Sequence, residues 1–356
     1  MNARGSFWSL LCTFGSWYNW TNDGGKHGKR PDGYNLSLSD VELFTHEWQV
    51  FVPPQQMRAL QMCPIICFLV VFPITPVILT KVLSSPRLRQ ETRYLLLANA
   101  LLSDLAFVSV YAFTSVFNAA GVLMSEWGCA TLLSLLGALY TAGILSTVTM
   151  ALDTLLAVLS PLRYLALWPV SRTRSVVGAV WGLSVFFPLA MVGAFVWFQA
   201  ASPCQSHICS MPLLLVLTIG RTPVLKLSML LMVSGILLIL LLIFCGYMAL
   251  CCSTRRSGVR SGQCCSRAKG TFLMHYMHLF LSFCPMLVLI VELLLYTQLR
   301  AVDLRAKLWV SLVVCNVLLV LPKALAPYLY GLRYRDLRRN LLTFYRLRKT
   351  LVFPVM

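Results

Sequence analysis

Two charged residues stand within long apolar stretches of the chain, and their chemistry is that of an internal ion pair. Asp104 offers a carboxylate and Lys323 an ammonium. A charged side chain at the centre of a membrane helix costs about 2.5 to 3.5 kcal/mol on insertion scales. If both stretches cross a membrane, each charge should face the protein interior and find a partner, and each is the obvious partner of the other.

Four cysteines form two adjacent pairs that could bind a metal or carry a lipid. They are Cys251, Cys252, Cys264 and Cys265. Zinc sites usually separate paired cysteine ligands by a few residues, and these pairs have no spacer. Palmitoylation is favoured instead for Cys251 and Cys252, which follow an apolar stretch. We expect neither a metal nor a cofactor.

The sequence contains no recognisable catalytic motif. It lacks a His-Glu-x-x-His metal site, a phosphate-binding loop and a nucleophile motif. His275 and His278 lie in an apolar stretch, where a histidine is more often packed and hydrogen-bonded than a ligand or a pH sensor. We therefore predict that the protein is not an enzyme.

The composition indicates a membrane protein. Of the 356 residues, 58% are hydrophobic and only 12% are charged, which is too apolar for a soluble domain of this length. A helix needs roughly 20 apolar residues to cross a hydrocarbon layer about 30 Å thick, and seven windows of this kind occur. These spans run approximately from Leu60 to Leu83, Tyr94 to Val116, Trp127 to Leu159, Val176 to Phe198, Pro223 to Leu250, Gly270 to Leu299 and Ala306 to Gly331.

Seven spans predict an all-α fold, because lipid offers the backbone no hydrogen-bond partners. We expect residues 60–332 to form one transmembrane bundle, with 1–59 as an extracellular segment and 333–356 as a cytoplasmic amphipathic helix and tail. The first 59 residues show no cleavable leader, so the first span should act as the insertion signal.

The distribution of charge and of glycosylation sequons predicts the orientation. Asn19 and Asn35 stand in Asn-x-Ser/Thr sequons ahead of the first span, which favours an extracellular N-terminus. Most of the 30 lysines and arginines fall in the first, third and fifth connections and after the last span. The positive-inside rule makes that side cytoplasmic. The net charge of +18 then reflects topology, and no nucleic-acid binding need be invoked.

The segment from Arg333 to Lys349 is basic and has one apolar face. At helical spacing, that face carries Leu337, Leu341, Phe344 and Tyr345. One interpretation is a solvated tail. The pattern favours an amphipathic surface helix that lies on the anionic inner leaflet and contacts membrane lipids.

Several spans contain short motifs at characteristic positions. The motifs are Leu97–Leu105 in the second span, Trp127–Cys129 and Asp153–Tyr164 at the two ends of the third, Trp181 in the fourth, Pro285 in the sixth and Ala326–Arg333 in the seventh. Together they resemble the motifs of rhodopsin-like, class A G protein-coupled receptors. The resemblance covers roughly residues 60–342, and the wording is closest to a group of poorly characterised orphan receptors. It implies that Asp153, Thr154, Phe283, Pro285, Pro327 and Tyr330 occupy the switch and coupling positions.

The chain departs from the family pattern at several of these positions. Thr154 stands where the family has the arginine that reaches the G protein, Pro76 and Ala326 replace asparagines, and Phe283 replaces a tryptophan. Ile239 replaces the proline of the fifth span if Tyr247 is that span's tyrosine. The loss of the arginine puts ordinary G protein coupling in doubt.

The resemblance also implies a disulfide from Cys129, at the start of the third span, to the second extracellular loop. Cys204 and Cys209 compete for this bond. Cys209 is slightly favoured because it lies closer to the fifth span, and the remaining cysteine is then available to pair with Cys12. An extracellular location is one where disulfides persist.

The predicted ion pair has a counterpart in the resemblance. Asp104 and Lys323 lie ten and eight residues from the inner ends of their spans, so their depths should match to within roughly 3 Å at 1.5 Å per residue. The family uses the aspartate of the second span to help hold a sodium ion that favours the inactive bundle. Our hypothesis is that the Lys323 ammonium occupies that charge site permanently. The alternative is that Lys323 extends to the inner membrane surface.

The outer half of the bundle should provide a mostly apolar ligand pocket. By position, its candidate residues are Leu136, Tyr140, Met286, Leu287, Ile290, Glu292, Asn316 and Val320. Leu136 stands where amine receptors have an aspartate, and Val320 where opsins have the retinal lysine, so both ligand classes are disfavoured. A lipid-like or small peptide ligand is expected.

We therefore predict an orphan receptor of the plasma membrane that transmits an extracellular ligand signal to a heterotrimeric G protein and to arrestin. The first alternative, motivated by Thr154, is a non-signalling partner or decoy receptor. A transporter is a remote alternative, because transporters typically contain related repeats and no internal repetition is seen here.

Overall fold

The computed structural model describes residues 54–120, 124–159, 163–164, 169–197, 205–206, 223–256, 262–299, 310, 312–334, 337–339 and 343. This part of the chain is almost entirely helical, and each predicted span contains helix. The first span consists of Pro54–Val71 and Thr75–Ser84, and the others contain Thr92–Ala120, Glu126–Leu159, Val170–Trp197, Pro223–Arg256, Gly262–Leu299, and Val314–Leu318 with Leu321–Arg333. A short helix, Pro86–Arg89, connects the first two spans.

Five of the described segments are long and apolar enough to cross a membrane, and a shorter apolar helix covers Ser234–Ala249. The five are Arg58–Ser84, Thr92–Ala120, Thr131–Leu159, Gly270–Leu289 and Val314–Arg333. Their outer surface is rich in large apolar side chains, with Leu69 64% and Phe113 51% exposed. A surface of this kind is stable against lipid and unfavourable in water.

The third span occupies the middle of the bundle, because it packs against the second, fourth, fifth and sixth spans. The seventh span packs against the first, second and sixth. A two-residue antiparallel ladder joins Met124–Ser125, just before the third span, to Gln205–Ser206. The loop between the fourth and fifth spans is thereby held against the start of the third.

The first span is not the continuous helix that was predicted. A turn at Phe72–Ile74 separates its two helices, and the Ile74 amide bonds to the Val71 carbonyl at 3.1 Å, one residue short of the α-helical pattern. Pro73 and Pro76 cause the break, since neither has an N–H and each ring clashes with the preceding helical turn.

The seventh span contains a π-helical turn. The Leu319 amide bonds to the carbonyl of Val314, five residues earlier, at 2.9 Å, and the π-helix covers Val314–Leu318. The extra residue rotates the following α-helix relative to a regular α-helical register. Lys323, just after this turn, is fully buried in the bundle.

Candidate functional site

The structure brings Asp104 and Lys323 together in the middle of the bundle. The Nζ atom of Lys323 lies 2.8 Å from Oδ1 of Asp104, and the two side chains are 1% and 2% exposed, respectively. Asp104 projects from the centre of the second span, and Lys323 from the first turn of the helix that follows the π-turn. Lys323 does not extend to the membrane surface.

A glycine of the third span makes room for this ion pair. A Cβ atom added to Gly143 would lie 2.6 Å from Oδ1 of Asp104 and 2.7 Å from Nζ of Lys323. Ser103 Oγ would be 3.5 Å away. Gly143 is not among the predicted site residues, because a single glycine in an apolar span gives little signal by itself.

Tyr140 connects the ion pair to the sixth span. The Lys323 ammonium lies 5.2 Å from the centre of the Tyr140 ring, a distance at which the π face attracts a cation. The buried Tyr140 hydroxyl donates a hydrogen bond to the backbone carbonyl of Ser282. One side chain of the third span thus contacts a cation of the seventh and the backbone of the sixth.

Two histidines of the sixth span surround Tyr330 of the seventh. The Nδ1 atom of His278 lies 3.0 Å from the Tyr330 hydroxyl and 3.5 Å from Thr147 Oγ1. The Nε2 atom of the same ring lies 4.0 Å from Asp104 Oδ2. The ring centre of His275 lies 5.5 Å from that of Tyr330. Both histidines are packed residues with 1% exposure, as expected.

A second carboxylate, Asp153, lies at the end of the third span. Its Oδ1 accepts hydrogen bonds from the Tyr164 hydroxyl at 2.8 Å and from Thr92 Oγ1 at 3.4 Å. Burial raises the pKa of Tyr164 to about 12, so this hydroxyl stays protonated and remains a donor. The next residue, Thr154, donates its hydroxyl to the Met150 carbonyl of its own helix at 2.9 Å.

The sixth and seventh spans also meet at this end of the bundle. The Nε atom of Arg333 donates to Thr271 Oγ1 at 3.1 Å. The same guanidinium lies over Gly270, whose added Cβ would be 2.8 Å from one of the Arg333 terminal nitrogens. Arg333 therefore packs directly against the end of the sixth span.

Comparison with known proteins identifies the fold and the class. The model of the 7 transmembrane receptor (rhodopsin family) matches residues 74–330. The chain belongs to this family. It is also similar to the human protein named Probable G-protein coupled receptor 148, with 32% identity over 270 residues that cover 74% of this chain and 76% of the relative. The predicted seven-helix bundle, family and receptor function are thereby confirmed.

Membership of the family makes the chain a multi-pass membrane receptor, a class that is not enzymatic and that generally interacts with ligands and G proteins. Several of the switch positions implied by the resemblance are buried in the receptor. Phe283 and Pro285 lie in the core of the sixth span, and Pro327 and Tyr330 in that of the seventh. Tyr330 contacts His278, whose ring lies next to Asp104.

The described members of the predicted pocket are packed within the receptor core. Leu136, Tyr140 and Val320 belong to one hydrophobic cluster, and Met286 and Leu287 pack against it. The Asn316 amide is occupied by a hydrogen bond to the Leu312 carbonyl at 3.0 Å. The side chains of Ile290 and Glu292 lie outside the described part of the receptor.

Cys129 at the start of the third span is disulfide-bonded. The choice between Cys204 and Cys209, and the role of Cys12, fall outside the described residues, as do Asn19 and Asn35.

The cysteine pairs near the end of the fifth span are described in part. Cys252 is exposed and Cys251 is half-buried, and the side chains of Cys264 and Cys265 lie beyond what the structure describes. Among the described residues, no three histidine, cysteine or acidic side chains are placed to hold a metal ion.

Proposed function

We propose that this receptor carries an internal cation, the Lys323 ammonium, at the charge site of its transmembrane switch. The observation that carries the proposal is the 2.8 Å contact between this ammonium and Asp104, both buried. A covalently attached cation cannot dissociate, so its occupancy is independent of the ionic composition outside the cell. The inactive bundle would thus be stabilised by a residue of the chain where relatives use an exchangeable sodium ion.

The switch that we propose runs from the ion pair to the sixth span. His278 lies next to Asp104 and hydrogen-bonds Tyr330, and Tyr140 contacts both Lys323 and the Ser282 carbonyl. An outward shift of the sixth span would break the hydrogen bond between His278 and Tyr330 and the one from Tyr140 to the Ser282 carbonyl. An extracellular ligand that binds one packing of the spans better than the other would shift the population between them.

For the ligand, we propose a lipid-like molecule or a small peptide that reaches the bundle from the extracellular side. The described candidates in this region are apolar or have their polar groups occupied within the protein, as at Tyr140 and Asn316. Leu136 offers no carboxylate to an amine. An apolar lining with few polar groups suits a ligand whose binding energy comes mainly from burial.

For the orientation, we propose a plasma-membrane protein with an extracellular N-terminus, glycosylated at Asn19 or Asn35, and a cytoplasmic C-terminus. The end of the bundle formed by Pro86–Arg89 carries exposed arginines, as the positive-inside rule requires of a cytoplasmic face. The basic C-terminal segment would lie on the inner leaflet. In its described part, Leu337 is buried while Arg338 and Arg339 are exposed. S-acylation of Cys251 and Cys252 would add a lipid on the same side.

The coupling step is the one for which Thr154 matters most. We expect wild-type receptor to activate a G protein and recruit arrestin weakly, because the arginine that contacts the G protein in relatives is absent. The Thr154→Arg variant should raise ligand-independent G protein activation several-fold in a cell-based dissociation assay. Thr154→Ala is the matched control, since it removes the bond to Met150 without adding a cation.

The outcome of this assay separates the receptor from the decoy interpretation. Activation by wild type, or by the arginine variant, supports a working switch whose output is tuned at residue 154. The proposal would be contradicted if wild type and the Thr154→Arg variant both reached the cell surface normally but gave no response. This result would have to hold in G protein and arrestin assays and throughout a lipid and peptide screen.

A further inference from the structure

The missing side chain of Gly143 sets the geometry of the ion pair. Real Cβ atoms essentially never approach another heavy atom within 3.0 Å, and a Cβ at this position would do so twice, at 2.6 Å from Asp104 Oδ1 and 2.7 Å from Lys323 Nζ. The space next to the backbone of the third span is therefore already filled by the two charged atoms.

Neither charged atom can move aside at low cost. The Asp104 and Lys323 side chains are 2% and 1% exposed, so a displaced charge would remain buried away from bulk solvent. Moving the ammonium away from Gly143 would lengthen its 2.8 Å contact with the carboxylate or press it against Tyr140. Separating two opposite charges costs much more energy in a poorly polarisable interior than in water.

We propose that Gly143 is a positioning residue for the switch, and that a lysine at position 323 requires a glycine at position 143. The inference rests on the ion pair used in the proposed function. The three residues lie on the second, third and seventh spans and act as one unit. The space left by the absent Cβ of Gly143 accommodates the charged atoms of the other two residues. The sixth span contacts this unit through His278, next to Asp104, and through the hydrogen bond from Tyr140 to the Ser282 carbonyl.

Another glycine of the same helix shows that the requirement is local. A Cβ added to Gly137, six residues before Gly143, would meet its nearest neighbour, Pro188 Cγ, at 3.6 Å. This is an ordinary van der Waals contact. Both glycines are in the third span, so a Gly→Ala change raises the intrinsic helix propensity equally at each. Only the environment of the added methyl group differs.

The test is a mutant cycle in the full-length receptor. Gly143→Ala is introduced into wild type and into the neutral double variant Asp104→Asn/Lys323→Met, and Gly137→Ala into both as the control. Cell-surface expression is measured in intact cells, and the unfolding temperature is measured for those variants that can be purified. A neutral pair of similar size is expected to be tolerated, because replacing both members of a buried ion pair is often neutral or stabilising.

We expect Gly143→Ala to reduce surface expression of the wild-type background several-fold and to lower its unfolding temperature. In the neutral background the same change should have little effect, since the uncharged side chains can shift without separating a charge pair. Gly137→Ala should be neutral or slightly stabilising in both. Non-additivity between Gly143 and the charged residues is the signature of the unit.

An equal loss in both backgrounds would overturn the inference, because it would show that Gly143 serves helix packing alone. Absence of any loss in wild type would overturn it as well. If the first neutral background does not reach the surface, Asp104→Ala/Lys323→Ala provides a second one with more room at the site. These readouts need neither ligand nor G protein, so failure of the signalling proposal would be seen separately.

Discussion

Two buried carboxylates, Asp104 on the second span and Asp153 on the third, are stabilised in different ways. Asp104, at the membrane centre, has a full positive charge at 2.8 Å. Asp153, at the end of the third span, is held by the hydroxyls of Tyr164 and Thr92. Their exposures are similar, 1% and 5%. The difference follows depth, because a charge at the centre of the bilayer costs more than one near its boundary, where dipoles and nearby solvent suffice.

The same comparison indicates how tightly each region is fixed. The Asp104 site joins the second and seventh spans through a buried ion pair that packs against Gly143 of the third span. The Asp153 site joins the starts and ends of neighbouring helices through neutral donors, each worth about 1 kcal/mol. We therefore expect the membrane centre to be the rigid part of the receptor and the end of the third span to be the adjustable part.

The largest effect is expected from breaking the charge pair. Lys323→Ala leaves the Asp104 carboxylate buried without its counter-charge, and removal of one member of a buried pair typically costs about 3 to 5 kcal/mol. We expect a large fall in unfolding temperature and in surface expression. Lys81→Ala is the control, since Lys81 is an exposed lysine at the end of the first span. Normal stability of Lys323→Ala would show that the pair is not needed.

The pairing of Asp104 with Lys323 could be predicted from the sequence, because a buried charge in an apolar span has few possible partners. Asp104 and Lys323 are charged residues in the apolar centres of their spans. Their similar depth in the bundle allows the two side chains to meet. The break in the first span was missed, although Pro73 and Pro76 were visible, because an apolar window measures length and composition but not continuity. The π-turn at Val314–Leu318 has no clear sequence signature.

Gly143 could not be predicted for a different reason. Its importance lies in atoms of two other spans that approach its backbone, and nothing in the local sequence indicates such an approach. The roles of His278 and Tyr140 likewise depend on the packing of the sixth span against the third and seventh. Sequence reasoning thus found the charged groups of the site, whereas the structure was needed for the neutral residues that position them.

A smaller effect is expected from weakening the Asp153 site. Tyr164→Phe removes the 2.8 Å donor but leaves the Thr92 hydroxyl in reach of the carboxylate. A loss of about 0.5 to 1.5 kcal/mol is typical for one such hydrogen bond, and a shift of a few degrees in unfolding temperature should follow. Tyr276→Phe is a matched control, because among the described residues the Tyr276 hydroxyl has no hydrogen-bond partner. A loss as large as that of Lys323→Ala would invalidate the comparison between the two sites.

The smallest effect is expected from sodium, to which the wild-type receptor should show no response. Two unit charges about 3 Å apart repel by roughly 5 kcal/mol at an effective dielectric constant of 20, so a sodium ion cannot bind Asp104 while the Lys323 ammonium is 2.8 Å from it. Unfolding temperature and basal signalling should be the same in sodium chloride as in the chloride of a large organic cation at equal ionic strength. In Lys323→Ala, where the carboxylate is open, sodium should recover part of the lost stability. Stabilisation of wild type by sodium would mean that the ammonium leaves Asp104 in the membrane.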